Sequence, residues 1–377
     1  MSSDVYKSFH DLEIEVQARG LCNQCGGCVS FCSAGEFNVL GIDGGGYPCF
    51  IDKEKCLKCG ICYLICPEIK ELERDVRKAY KWVPPIGAYK RAVSARSTDN
   101  RVLEVCTDGG VVTSLLAYML EHRIVSGALV ARKVSPFKRE PMIARTYQDL
   151  IEAAGFYSYH SLHLEMLGEK YSTYSTTLPS IKDFKDDPHS RLALVGTPCQ
   201  VNTIRKMQRL RVFPSHVIRL TIGLFCMENF CFDSLVQSKK MQEKLGGPIE
   251  EVRKLNIKED LIVHFMDGRV LHLPFEDVDE FARPACLMCT DFANDFADIS
   301  VGGLGSPDGY TTTLLRTEKG QEVYSRALKA GYIREISYKS PLDQKKDEIR
   351  LIEKVISFAE RKRERNERNK RARGVDL

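Results

Sequence analysis

Apolar and polar positions change period several times along the chain, and the changes mark its elements. Val111 to Glu121 (VVTSLLAYMLE) has a helical pattern and starts just after Thr107-Asp108-Gly109-Gly110. Gly127 to Ala131 is a short apolar run of the kind that fills a buried strand, and Leu192 to Val195 is another. The second run ends at Gly196-Thr197-Pro198-Cys199-Gln200 and leads into a helical segment through Arg209. His216 to Phe225 reads as a strand ending at Cys226. Leu261–Phe265 and Val270–Leu273 flank Asp267-Gly268, a hairpin signal. Asp298-Ile299-Ser300-Val301 leads into a glycine-rich loop, Gly302 to Gly309. This alternation predicts an α/β body with some antiparallel hairpins over roughly residues 88–340.

The two ends differ from the body. Near the front, Val39–Ile42 and Cys49–Ile51 flank Asp43-Gly44-Gly45-Gly46, a hairpin with a glycine turn. Trp82-Val83-Pro84-Pro85-Ile86-Gly87 reads as a linker, because two prolines and a glycine suit no element interior. At the back, Ile349, Ile352, Val355, Ile356 and Ala359 recur at helical spacing, so an amphipathic helix is expected to run out into a polar, basic end.

Composition sharpens this outline. With 377 residues, 43% hydrophobic and 28% charged, the chain is long enough for two or three globular domains, and disorder or collagen is excluded. No apolar run approaches the ~18 residues that span a bilayer. The first residues lack the basic-then-apolar pattern of a secretion signal, so a cytoplasmic protein is expected. The net charge of +4 is uneven: residues 361–377 carry eight Lys/Arg against three acids, leaving the rest at −1. That balance gives no argument for nucleic acid as a partner.

Cysteine changes the picture most. Nine of the 15 cysteines lie between the start of the chain and Cys66. In a reducing compartment they are better read as metal ligands than as disulfides. Cys22-Asn-Gln-Cys25-Gly-Gly-Cys28 and Cys56-Leu-Lys-Cys59-Gly-Ile-Cys62 are two copies of one phrase, each followed by a further cysteine, Cys32 and Cys66. Soft thiolates select iron–sulfur or zinc, and zinc usually takes separated C-x2-C pairs. The C-x2-C-x2-C-x3-C phrase fits 4Fe-4S clusters with the fourth cysteine crossing over. The crossed sets are Cys22, Cys25, Cys28, Cys66 and Cys56, Cys59, Cys62, Cys32. Ser33 stands where Pro67 follows the second quartet, a turn residue and not a ligand. Cys49 falls outside both sets and is read as a buried hairpin cysteine.

Four more cysteines sit at strand ends or in a pair: Cys199, Cys226, and Cys286-Leu-Met-Cys289. Strand ends of an α/β sheet converge on one crevice, so these could surround a third cluster, or they could be core cysteines packed as small hydrophobes. Cys106 and Cys231 are read as structural. Asp108-Gly109-Gly110 before a helix, with Thr113 one turn in, would offer backbone N–H groups to a phosphate, yet such a turn is often only a turn. The Gly302–Gly309 loop is not the G-x-G-x-x-G fingerprint.

Jointly these segments resemble a known family. CTDGGVVTSLL, VGTPCQVNTIRK, GLFCMENF and RPACLMCTDFANDFADISVGGLGSPDGYTT resemble the ordered motifs of the coenzyme F420 hydrogenase/dehydrogenase beta-subunit family, over roughly residues 88–320. With a two-cluster ferredoxin module in front, the chain looks most like the electron-input subunit of F420H2 dehydrogenases. The resemblance implies an α+β chain: a bacterial-type two-cluster ferredoxin domain over 1–75, a linker over 76–87, an α/β domain holding FAD and a 4Fe-4S cluster over 88–340, and an amphipathic helix with a basic tail over 341–377. Carried over by motif, Asp108, Gly109, Gly110 and Thr113 would line the FAD site, with Gly302, Gly303, Gly305 and Ser306. Cys199, Cys226, Cys286 and Cys289 would hold the third cluster, and Gly168-Glu169-Lys170-Tyr171-Ser172 would lie near the flavin.

The implied reaction follows from what each cofactor carries. Reduced coenzyme F420 gives up a hydride, a cluster takes one electron, and a flavin handles both. Electrons would pass from reduced F420 to FAD, through the third cluster and the two ferredoxin clusters, to other subunits of an electron-transfer complex, either free in the cytoplasm or attached to the cytoplasmic face of the membrane. No side-chain acid or base is needed, and His160 and His163 are read as ordinary histidines. The alternatives are an F420-reducing subunit running the other way, or an iron–sulfur relay without flavin. The basic tail is read either as a frayed solvated end or as an arm for an acidic or anionic-lipid surface, and its deletion is expected to spare F420 oxidation.

Overall fold

A computed structural model describes residues 7–35, 37–135, 138–155, 191–257 and 260–375. His160, His163 and the segment Gly168–Ser172 lie outside the described residues. The body is built on four strands that the chain buries on both faces. β4 (Gly127–Ser135), β6 (Leu192–Gly196), β7 (Ile218–Leu224) and β11 (Ile299–Gly302) run parallel, β4 to β6, β6 to β7 and β7 to β11. Alternate residues of one strand serve opposite cores: Ala128 and Val130 face one side, and Leu129 the other. That two-sided burial is why these strands read as continuous apolar runs.

Antiparallel strands extend the sheet at both edges. Among the described residues its order is β13-β3-β12-β11-β7-β6-β4-β5, where β3 is Arg91–Ser97, β5 Lys138–Ala144, β12 Thr311–Leu315 and β13 Ile333–Glu335. Helices Val111–Glu121 and Glu318–Lys329 cover one face through Leu115, Met119, Tyr324 and Ala327. Helix Pro198–Leu210 covers the other through Val201, Ile204 and Met207. It starts with a capping box between Thr197 and Gln200 and a proline in its first turn, which satisfies its free N–H groups immediately after β6. A separate sheet of β8 (Val252–Ile257), β9 (Leu261–Phe265) and β10 (Val270–Leu273) contains the expected Asp267-Gly268 hairpin.

The cysteine repeat is a structural repeat. Gln24 (φ 50°) and Gly26 (φ 76°) of the first copy have their counterparts in Lys58 (φ 50°) and Gly60 (φ 77°) of the second. Each left-handed glycine opens a short helix, Gly27–Ala34 and Ile61–Leu64. The expected glycine-turn hairpin joins β1 (Leu40–Ile42) to β2 (Pro48–Phe50), and Cys49 in it is half-buried rather than buried. Phe31, Ile65 and Val76 of this region enter the same core as Val201 and Ile204. Burying a side chain such as Ile65 stabilises by about 1.5–3 kcal/mol, so this contact holds the cysteine-rich region against the sheet. The Trp82–Gly87 segment is also packed: Trp82 Nε1 donates to Asp295 Oδ2 at 2.6 Å, and Ile86 is buried.

The chain end corrects the expectation of a frayed, solvated tail. Pro341–Ala372 is one helix of 32 residues. Its first half packs Leu351, Val355 and Phe358 against Ala92 and Leu314 of the sheet. Its second half continues inward, and Lys362, Asn366 and Lys370 are buried. Their four-residue spacing places them on one helical face. Among the described residues no helix is long and apolar enough to cross a membrane.

Candidate functional site

The parallel strands bring their C-terminal ends to one side of the sheet, and the loops that follow form a cleft there. The Asp108 loop is fixed from both sides. Ser97 N–H donates to Gly109 O (2.6 Å), and Gly109 N–H donates to Thr311 Oγ1 (2.9 Å). Gly110 sits at φ 72° and opens the helix Val111–Glu121 toward the cleft. The loop after β11 lies directly on this one: a Cβ on Gly303 would meet the Asp108 carboxylate at 2.5 Å. A side chain at Gly303 would therefore have to displace the Asp108 carboxylate from its place.

Of the residues expected around a flavin, Asp108, Gly110, Thr113, Gly302 and Gly303 line the cleft. Gly109, Gly305 and Ser306 do not. Gly109 is held between β3 and Thr311, the Gly305 carbonyl accepts from Arg350 (2.7 Å), and the Ser306 hydroxyl pairs with Ser94 and Thr312, each at 2.7 Å. Two cysteines also reach the cleft, Cys226, expected as a cluster ligand, and Cys106, read as structural. Cys226, one residue beyond Phe225, is in its wall, and so is Cys106, whose Sγ donates to Asp108 O at 2.9 Å. Cys231 is exposed and lies apart.

Burial and neighbouring sulfurs act together on several of the twelve candidate ligands. Burial, then the charges of Cys25, Cys22, Cys62 and Cys66, pushes the Cys28 thiol up, and Cys22 is pushed up to about 12 by burial with Cys25 beside it. Cys62 is likewise pushed up to about 12, by burial and then by Cys59, Cys56 and Cys32. Cys66 bears on Cys28 and Cys32 on Cys62, each from the other copy of the repeat, while Cys62 also bears on Cys28. Among Cys199, Cys226, Cys286 and Cys289, the third group, burial pushes Cys199 up, with Cys25, Cys289 and Cys226 adding to it. Burial also raises Cys226, with Cys286 and Cys289 as its sulfur neighbours.

Such sets fit an iron–sulfur centre chemically. Buried, crowded thiols such as Cys28, Cys66 and Cys199 are costly to ionise on their own, and a cationic metal core would make them thiolates. Among the described residues no three His, Cys, Asp or Glu side chains converge as a lone metal ion requires. A cubane distributes its ligands over separate iron corners, so grouping in fours is the relevant test for it.

Cys226 belongs both to the cleft wall and to the third group, Cys199 of that group neighbours Cys25 of the first, and Cys28 of the first neighbours Cys62 of the second. Cys59 of the second group is exposed.

Buried donors fix the ligand loops, and sequence reasoning missed them. Lys206 Nζ donates to the carbonyls of Cys66 (2.6 Å) and Ile69 (2.5 Å), and Arg283 to that of Asn23 (2.6 Å). From the C-terminal helix, Lys362 donates to Cys226 O and Asn366 to Cys286 O and Cys289 O. Burial works against the Lys362 charge, yet Cys289, Cys226, Cys286 and Asp291 around it push its pKa up. The signal available in the sequence was the four-residue spacing of Lys362, Asn366 and Lys370 inside a run that looks uniformly solvated.

Family models of the coenzyme F420 hydrogenase/dehydrogenase beta subunit match residues 92–168 for its N-terminal part and 189–340 for its C-terminal part. The chain belongs to this family. The coenzyme F420 hydrogenase subunit beta of Methanothermobacter thermautotrophicus is 35% identical over 285 residues, which is 74% of this chain and 95% of that protein. A subunit of the F420H2 dehydrogenase of Methanosarcina mazei is 26% identical over 321 residues, 82% of this chain and 83% of that one. In three dimensions the chain matches one in the F420-reducing NiFe hydrogenase complex of Methanosarcina barkeri, with TM-score 0.61, 29% identity, and coverage of 77% of this chain and 94% of that one. The chain is thus a mixed α/β oxidoreductase subunit whose relatives work in multi-subunit assemblies. Its cysteine repeat and its whole C-terminal helix lie outside the matched family segments.

Proposed function

We propose that this protein oxidises reduced coenzyme F420 at the strand-end cleft and delivers single electrons to another subunit of an electron-transfer complex. The observation that carries the proposal is the position of Cys226, shared between the cleft wall and a group of four cysteines. An FAD bound in the cleft would convert a hydride into single electrons, and 4Fe-4S clusters would carry those one at a time. Asp108, Gly110, Thr113, Gly302 and Gly303 would hold the flavin, with the N–H groups opening helix Val111–Glu121 suited to its pyrophosphate. Cys199, Cys226, Cys286 and Cys289 would hold the proximal cluster. Residues 1–75 would form a two-cluster ferredoxin domain, with Cys22, Cys25, Cys28 and Cys66 in the middle and Cys32, Cys56, Cys59 and Cys62 outermost.

The protein's own share is orientation and exclusion. The rings of Phe225 and Phe292 lie 5.5 Å apart in the cleft wall beside Cys226, and apolar walls of this kind keep water from a reduced cofactor. The same cleft would serve the reverse reaction, F420 reduction, and the 35% identity with a hydrogenase beta chain favours that as the second reading.

Anaerobic mixing with reduced F420 tests both directions at once. With FAD supplied, flavin and cluster absorbance are expected to bleach together. No bleaching would contradict either enzymatic reading and leave a relay without flavin.

A further inference from the structure

The buried half of the C-terminal helix has no part in the electron path proposed so far. It reaches the third cysteine group from outside the matched family segments and touches three of its four ligand positions. Lys362 Nζ donates to Cys226 O (2.7 Å) and Asp291 O (2.8 Å). One turn on, Asn366 Nδ2 donates to Cys286 O (2.8 Å) and Cys289 O (2.5 Å), and Asn369 Nδ2 donates to Leu287 O (3.0 Å). Cys226 and Cys286 stand on loops far apart in the chain, and one helix face holds both. The fourth position, Cys199, is placed separately by the Thr197 turn.

The choice of donor is informative. Lys362 is 1% exposed and Asn366 is fully buried. Either side chain could hold carbonyls, but burying an ammonium is far more costly than burying an amide unless a negative partner lies nearby. Asp291 beside Lys362 supplies one negative charge, and a cluster on four thiolates would supply more. A fixed positive charge beside it favours the reduced, more negative state, because cluster potentials depend on net charge and hydrogen bonding around the sulfurs.

We propose that Lys362 and Asn366 are positioning residues of the third cluster: Asn366 clips the Cys286–Cys289 loop, and Lys362 ties in the Cys226 loop while raising the potential of that one cluster. This rests on the proposed third cluster at Cys199, Cys226, Cys286 and Cys289.

A redox titration followed by electron paramagnetic resonance, on the anaerobically isolated full chain, tests it. Lys362→Gln keeps a donor and removes the charge. It should shift one of three cluster midpoints negative by about tenfold in the reduction equilibrium, roughly 59 mV for one electron. Lys362→Arg should restore most of the shift, and Asn366→Leu should weaken retention of the same cluster's iron while moving its midpoint less. An unmoved midpoint in Lys362→Gln with the cluster intact would overturn the proposal. If Lys362→Gln loses the cluster, Lys362→Arg decides: a retained cluster at the wild-type midpoint supports the charge, and a shifted one overturns it. Fewer than three cluster signals in the wild type would instead overturn the reading on which it rests.

Discussion

Cys226→Ser is expected to cost the protein one cluster, about four iron per chain, and to separate the two halves of the bleaching reaction. Cys226 stands where the cleft wall and the third cysteine group meet. Asp108, Gly110 and Gly303 lie across the cleft and are untouched, so flavin should still bind and still bleach with reduced F420. Reduction of the remaining clusters should fall to background, because the proposed path reaches Cys25 through Cys199 of the damaged group. Iron analysis and stopped-flow absorbance check this together. Full iron with undiminished cluster bleaching would remove Cys226 from the path.

The largest stability effect is expected at Asp298. This carboxylate is buried at the start of β11 and ties three elements together. Its Oδ2 accepts from Thr221 N–H (2.9 Å) and lies 3.1 Å from the Arg205 guanidinium, while its Oδ1 accepts from Thr317 Oγ1 (2.8 Å). Asp298→Asn leaves Arg205 buried without its counter-charge, which costs about 3–5 kcal/mol. Burial alone would raise the Asp298 pKa, but Arg205 and Lys319 hold it below the ordinary 3.8. A depressed carboxylate contributes stability above its unfolded pKa and loses it as pH falls toward the folded one. In urea unfolding, the gap between wild type and Asp298→Asn should therefore be constant from neutral pH down to about 5 and narrow below 3.8. A gap under about 1 kcal/mol at pH 7 would show that the pair is not a tie between these elements.

How much of this was legible in the sequence depended on whether the chemistry constrains spacing. The cysteine repeat was, because its two copies share one spacing, and the repeat reappears in the backbone angles of Gln24 and Lys58. The parallel strands were, because burial on both faces leaves little room for polar residues. β3 and β12 were not: Ser94, Ser97, Thr311, Thr312 and Thr313 are buried there, so neither shows an apolar run. β5 was hidden as a polar, proline-containing edge strand, which forms by pairing with β4 and not by its own pattern.

The cleft was half legible. Glycines after β11 are conspicuous, but only a structure separates Gly302 and Gly303, which line the cleft, from Gly305 and Ser306, which do not. The C-terminal helix was the largest miss. A run of arginines and lysines normally marks a solvated surface, whereas here Lys362 and Asn366 face the interior. Deleting residues 361–377 would therefore disturb the third cysteine group, and its effect could not be confined to attachment.

The central claim is a flavin cleft followed by three clusters in series. An iron, acid-labile sulfide and flavin count on the anaerobically isolated chain tests it most directly. About 12 iron, as much sulfide and one FAD per chain is the predicted result, and about eight iron with no flavin would contradict it.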